Sequence, residues 1–427
     1  MRYPVDHAFS SKTRQILQNE SNRKHRCVPG GGALIVVLTA LVLSHSATAQ
    51  KSQDQWQTRS WPELAAETQA RADRGAYPLT GLKPDDVREA LSHIHSLDRD
   101  EWASAWMAIG DRYEWRAKSE EATDSGAARD DYRAAWLNYS FGRWPSPNSP
   151  GKAQSYAKAQ GAFANYGRLL NPPIETISIS FEGKQIVAYL QKPPGVTRPP
   201  IVLDLGGMDE WKDSVANQGR GFLQDGIADV AVDMPGTGDA PMARPGAERV
   251  YSRLIDYLLT RTDVDGSRIV VRGTSWGSYW SARLAFVEAN RLKGAVYQSG
   301  PVDGYFQRAW QDNSLHTKEY LFDFVASRLY VLGQPSVDAL LNYMPSMSLK
   351  AAGLLGKPTS PMLLIGGVLD SQTPFADLLE LLQTGTPKDA WVNPEGRHMG
   401  DSGSWTHKAI FDKVIRPWIH TRLTADQ

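Results

Sequence analysis

The stretch Arg268-Ile269-Val270-Val271-Arg272-Gly273-Thr274-Ser275-Trp276-Gly277 decides the fold. Arg268 to Val271 is a short apolar run that reads as a buried strand, and Ser278 to Asn290 places apolar residues at helical steps. Gly-x-Ser-x-Gly stands between them. The pentapeptide alone arises by chance; between a strand and a helix it has a mechanical meaning. A serine on such a tight turn is presented at the end of a sheet, and the flanking glycines allow backbone to approach closely. Ser275 is therefore the candidate nucleophile.

The surrounding chain carries the same alternation. After Asn171-Pro172-Pro173, residues Glu175 to Phe181 and Gln185 to Gln191 read as a hairpin around Glu182-Gly183. Pro200 to Leu205, Ala228 to Asp233, Gly294 to Gln298 and Pro361 to Ile365 read as further strands. Val250 to Thr260, Phe375 to Leu382 and Thr406 to Leu423 read as helices. Strands alternating with helices predict a mostly parallel sheet covered on both faces. The alternation breaks over about 300–360, an aromatic-rich insertion expected to form a helical cap above the strand ends. Residues 50–172 read as a helical N-terminal domain, and 173–427 as the catalytic domain. Trp102, Trp106, Ile109, Tyr113 and Ala117 recur at helical steps in the N-terminal part, and its tryptophans are expected mainly to pack helices together.

A serine hydroxyl needs a base to take its proton, and the base needs an acid to orient it. In folds with this elbow the chain order is serine, acid, histidine. The histidines after Ser275 are His316, His398, His407 and His420. His316 lies in the insertion, and His407 and His420 fall in the last helical segment. His398 sits in the glycine-flanked loop Gly396-Arg397-His398-Met399-Gly400, so it is the expected base. Asp370 follows the strand that runs into Gly366-Gly367 and is the expected acid, with Glu395 as the alternative and a helix-capping aspartate as the ordinary reading of Asp370. Backbone N–H groups should hold the oxyanion: that of Trp276, and that of Gly207 or Met208 in the Gly206-Gly207-Met208 turn. Sequence does not choose between the latter two, and Asp209 reads as a cap for the following helix. Trp276, Tyr305, Phe306 and Trp310 are the candidate pocket residues.

Other signals exclude more than they assign. Asp233-Met234-Pro235-Gly236-Thr237-Gly238 lacks the lysine of a phosphate-binding loop and reads as a structural turn beside the site. His93-Ile94-His95 has no third ligand nearby, so no metal and no cofactor are expected. The 427 residues carry 47 basic and 47 acidic side chains, which leaves no electrostatic footprint for nucleic acid. The expected partner is a small-molecule substrate; the sequence says little about oligomerisation and leaves a homodimer open.

Arg2, Lys12, Arg14, Arg23, Lys24 and Arg26 precede an apolar run from Ala33 to Leu43, followed by Ala47-Thr48-Ala49. That is the layout of a signal peptide over 1–49, cleaved near Ala49/Gln50, with an uncleaved anchor as the alternative. Cleavage removes Cys27, the only cysteine, and leaves a net charge of −4. A periplasmic or secreted protein with no stable membrane anchor is expected.

Taken together, the helical N-terminal segment, the Pro200-to-Lys212 strand and glycine turn, the Asp233 turn, the Ser275 elbow, Asp370 and His398 resemble the α/β-hydrolase superfamily. The closer resemblance is to the group of FrsA-like esterases, 2,6-dihydroxypseudooxynicotine hydrolase and fungal polyketide-shortening hydrolases. It spans roughly Arg99 to Trp418. It implies an α/β-hydrolase fold and a serine hydrolase acting on a carboxylic ester, and the aromatic residues of the insertion suit a small aromatic or apolar substrate. The same machinery serves C–C bond hydrolysis next to a ketone, so that reading stays open. A prolyl-oligopeptidase-type peptidase and a non-catalytic binding protein on the same fold are more distant readings. One departure stands out: related elbows often carry two glycines after the serine, and here Ser278 follows Gly277.

Overall fold

The computed structural model describes residues 56–424. The signal segment, its cleavage site and Cys27 lie outside the described residues. Among the described residues no helix is long and apolar enough to cross a membrane.

Among the described residues five helices come first: α1 (Trp61–Asp73), α2 (Pro84–Ser92), α3 (Arg99–Glu120), α4 (Ser125–Arg143) and α5 (Pro150–Arg168). Local chemistry starts them. Asp98 accepts from the N–H groups of Asp100 and Glu101, Asp124 from those of Gly126 and Ala127, and Ser149 from that of Lys152. Trp102, Trp106, Trp136 and Trp144 are buried between these helices, as expected for packing aromatics, whereas Trp115 is exposed. The same cluster takes in Tyr189, Val215, Ala231 and Phe322, so the helices pack on the sheet and on the later insertion.

The sheet has eight strands: β1 (Glu175–Phe181), β2 (Lys184–Gln191), β3 (Ile201–Leu205), β4 (Ala228–Val232), β5 (Ile269–Thr274), β6 (Leu292–Gln298), β7 (Met362–Gly367) and β8 (Asp389–Asn393). Their order is β1-β2-β4-β3-β5-β6-β7-β8, antiparallel at β1–β2 and β2–β4 and parallel elsewhere. The parallel strands are apolar on both sides because each pleat sends alternate residues to opposite faces. Leu203, Val271 and Leu364 join one core with α8 (Arg249–Thr260) and α9 (Trp276–Val287). Val202, Val270, Val296 and Leu363 join another, with Ile410, Ile415 and Ile419 of the C-terminal helical segment. That segment, expected as one helix over Thr406 to Leu423, is interrupted by a π turn at Phe411–Ile415. Two short helices, α6 (Lys212–Gln218) and α7 (Arg220–Leu223), lie between β3 and β4.

The insertion between β6 and β7 holds a short 3-10 turn (Gly304–Phe306) and helices α10 (Arg308–Ser314), α11 (Phe324–Leu332) and α12 (Val337–Tyr343). It is clasped to the N-terminal helices through Asp323, which is fully buried. Its carboxylate accepts from Arg99 Nη2 at 2.7 Å, Asn148 Nδ2 at 2.8 Å and Lys152 Nζ at 2.8 Å. Burial would push the Asp323 carboxyl up, but Lys152 and Arg99 outweigh it and hold it below the ordinary value.

β3 lies between β4 and β5, so the turn after β3 and the elbow after β5 leave the sheet side by side, with Leu205 in register with Gly273. In open α/β sheets the crevice at such strand ends is where ligands bind.

Candidate active site

Ser275 stands between β5 and α9 with φ 52° and ψ −122°, a strained conformation for a residue with a side chain. The turn closes only because its neighbours lack side chains. A Cβ on Gly273 would sit 2.3 Å from the Gly277 carbonyl oxygen, and one on Gly277 would sit 2.5 Å from the oxygens of Leu205 and Gly206. Ser278, which follows Gly277 in this elbow, does more than fill space. Its hydroxyl lies 2.7 Å from the Gly273 carbonyl and 2.8 Å from that of Gln298, and it accepts the Gln298 N–H at 2.9 Å. It ties the elbow to the end of β6.

His398 Nε2 lies 3.0 Å from Ser275 Oγ, and Nδ1 lies 2.9 Å from Asp370 Oδ2 and 3.1 Å from Oδ1. The three residues, 123 and 28 positions apart along the chain, are thus joined in one hydrogen-bonded line. The His398 loop is held by β6: Gln298 Nε2 donates to the Met399 carbonyl at 2.9 Å, and Met399 N–H donates to Ser299 Oγ at 3.1 Å. Asp370 also accepts from the N–H groups of Gln372 at 2.8 Å and Thr373 at 3.0 Å, and from Thr373 Oγ1 at 2.8 Å. Its turn-capping role and its bond to His398 coexist. Burial pushes the Asp370 carboxyl up, but His398 and the Thr373 donors outweigh it and hold it below its usual range. Burial pushes His398 down, and the Asp370 carboxylate reverses this, leaving the imidazole above its usual value. Glu395 is exposed, and its own N–H donates to Asn393 Oδ1.

The glycine turn after β3 comes up against the serine. A Cβ on Gly207 would be 3.2 Å from Ser275 Cβ, a tight contact that glycine avoids. Met208 lines a cavity of about 210 Å3 together with Ser275, Trp276, Tyr305 and Trp310. Tyr320 and Phe324 close it from the insertion, and Gln372 and Thr373 from the acid loop. Phe306 is not part of this wall. It is fully buried behind it, edge-on to Trp276, Tyr279 and Tyr305. Asp209 does not cap α6. The N–H of Lys212 is taken instead by Asp233 Oδ1 at 2.9 Å, while Lys212 Nζ pairs with Asp233 Oδ2 at 2.6 Å. The Asp233 turn is thereby a structural joint. In the N-terminal region, His95 is exposed with Nδ1 3.3 Å from Glu101 Oε1.

Residues 88–380 match the family described as Esterase FrsA-like. Esterase FrsA of Vibrio cholerae serotype O1 is 28% identical over 321 residues, covering 70% of this chain and 75% of that protein. Esterase FrsA of Photobacterium profundum is 26% identical over 274 residues, covering 63% of this chain and 65% of the relative. The crystal structure of 2,6-dihydroxy-pseudo-oxynicotine hydrolase superposes with a TM-score of 0.67 at 21% identity, covering 81% of this chain and 95% of that one, a likeness of fold. The family match takes in well over half of the chain: it belongs to the FrsA-like esterases and is a hydrolase of the α/β-hydrolase fold.

Proposed function

We propose that the protein is an exported serine hydrolase that cleaves a carboxylic ester of a small aromatic or apolar compound. Ser275 Oγ attacks the ester carbonyl as His398 Nε2 takes its proton. Asp370 holds the imidazole in the tautomer that leaves Nε2 free and stabilises the imidazolium. The tetrahedral oxyanion is received by the N–H groups of Trp276 and Met208, while Gly207 supplies the close approach. Collapse expels the alcohol with the proton from His398 and leaves an acyl-serine, which a water activated by His398 then hydrolyses. The observation that carries this reading is the 3.0 Å and 2.9 Å hydrogen-bonded line from Ser275 through His398 to Asp370.

The cavity supports this choice of substrate class. A cavity of about 150 Å3 holds benzene, so one of about 210 Å3 takes a single substituted ring or a short acyl group. Its aromatic walls favour a flat partner.

A fluorophosphonate probe tests the nucleophile: the wild type should label and Ser275→Ala should not, and equal labelling of both would remove Ser275 from this role. Paired aryl esters and aryl ketones test the bond. Faster turnover of the ketones would replace the ester reading with carbon–carbon hydrolysis. Export is tested by N-terminal sequencing of protein recovered from the periplasm, where Gln50 is expected first and an intact Met1 would refute it.

A further inference from the structure

Asp209 follows Met208 directly and is buried, 7% exposed. Its Oδ2 accepts from the Tyr77 hydroxyl at 2.5 Å and from Trp144 Nε1 at 2.8 Å, and its Oδ1 accepts from the Tyr320 hydroxyl at 3.1 Å. Tyr77 and Trp144 come from the N-terminal helical segment, Tyr320 from the insertion. A buried carboxyl is costly unless hydrogen-bonded, so these donors commit the chain to one position there. The other side of Met208 is pinned as well. Trp211 Nε1 donates to the Met208 carbonyl at 3.1 Å, and the Arg143 guanidinium lies 4.1 Å over the Trp211 ring. Arg143 and Trp144, adjacent at the end of α4, therefore grip both flanks of Met208. The loop is folded tightly enough that a Cβ on Gly206 would be 2.2 Å from the Glu210 carbonyl oxygen.

We propose that Asp209 is a positioning residue for catalysis: through Tyr77, Trp144 and Tyr320 it sets the direction of the Met208 N–H toward the oxyanion. This rests on the Ser275 reading above. The helical segment is then part of the catalytic apparatus although it touches no reacting atom. Tyr320 also lines the cavity and stacks on Trp144 at 5.6 Å, so the wall that meets the substrate and the loop that meets the oxyanion share one carboxyl. Were these bonds only glue between helices and sheet, their loss would lower stability and leave turnover unchanged.

The test compares wild type, Tyr77→Phe, Asp209→Asn and the double variant. Tyr77→Phe removes one hydroxyl from a ring that is 46% exposed, so folding is not at stake. The readouts are kcat and KM on an aryl ester, affinity for an arylboronic acid (whose tetrahedral adduct needs the oxyanion site) and melting temperature. A displaced donor forfeits part of the effect of a deleted one. Tyr77→Phe is expected to lower kcat roughly threefold to tenfold, and Asp209→Asn roughly tenfold to a hundredfold, with KM within about twofold of wild type. Boronate affinity should fall in step with kcat. The double variant should be no slower than Asp209→Asn, because Tyr77 acts through that carboxyl. Wild-type kcat in Tyr77→Phe, a loss confined to KM, or losses that multiply in the double variant would each overturn the proposal. If Asp209→Asn does not fold, Tyr77→Phe decides. A wild type inert to both the ester and fluorophosphonate would overturn the Ser275 reading itself, a separate result.

Discussion

Replacing Asp370 by asparagine exposes the proton relay to a sharp test. The amide has one oxygen and one NH2, and the structure dictates where each goes. The N–H groups of Gln372 and Thr373 both point at Oδ1, so the amide oxygen must take that place. The NH2 then occupies the Oδ2 position, 2.9 Å from His398 Nδ1. It can only donate, and it holds the shorter contact (Oδ1 lies at 3.1 Å), so Nδ1 becomes the acceptor and the ring proton moves to Nε2. That proton faces Ser275 Oγ at 3.0 Å, and the imidazole can no longer take the hydroxyl proton. Locking a triad histidine in the wrong tautomer lowers kcat by about 10⁴-fold, a loss of roughly 5 to 6 kcal/mol of transition-state stabilisation. Most of the contacts of Asp370 survive, so the fold should hold. The pH profile adds a second reading. The base works when neutral, so kcat/KM rises with pH through the His398 pKa, which Asp370 holds up against burial. In Asp370→Asn the largest raising influences are gone, leaving burial opposed only by the smaller effects of Glu319 and Asp401, and the acid limb of the residual activity should move to lower pH. Stopped-flow or steady-state hydrolysis of an aryl ester across pH measures both. A folded variant within tenfold of wild type, with an unmoved acid limb, would refute the tautomer argument.

Other expected outcomes test the frame around the site. Ser278→Ala, which removes a fully buried hydroxyl bonded at the elbow and at the end of β6, should cost about 1 to 3 kcal/mol of stability; a melting temperature equal to wild type would show that its hydrogen bonds are dispensable. Asp377 is buried and its carboxyl is pushed up to about 6, against N–H donors from Val302, Tyr305 and Asp303. A raised carboxyl binds protons more readily folded than unfolded, so its contribution to stability is full near pH 4 and is lost as pH rises through 6, by about 3 kcal/mol. Asp377→Asn should remove that slope between urea unfolding at pH 4 and pH 7, and an unchanged slope would remove Asp377 as its cause.

Ser275, His398 and Asp370 were legible because each sits in a local pattern of strand, glycine and loop, and chain order ranks the candidates. The main strands of the sheet were legible for the same reason, since full burial in a parallel sheet demands continuous apolar runs. β8 was not. Asp389–Asn393 is an edge strand, polar and exposed at its start, so no hydrophobic run announces it. α1 and α2, of 13 and 9 residues, are shorter than the three helices that follow and were not separated within the helical region. Asp209 read as a helix cap because local spacing shows only local partners. Its actual donors, Tyr77, Trp144 and Tyr320, lie 132, 65 and 111 residues away. Phe306 read as a pocket residue because an aromatic in an insertion has no address until the insertion folds.

By itself, then, the amino-acid order determined the sheet class, the elbow and the choice of Ser275, His398 and Asp370 as the candidate relay, because those depend on short-range periodicity and on glycines where a side chain would collide. Only the tertiary structure decided what surrounds that relay: which aromatic rings wall the cavity, that Ser278 braces the elbow, and that the helical segment reaches Asp209. The physical reason is that hydrogen bonds and packing act through space over a few ångströms, and folding alone brings residues a hundred positions apart to that distance.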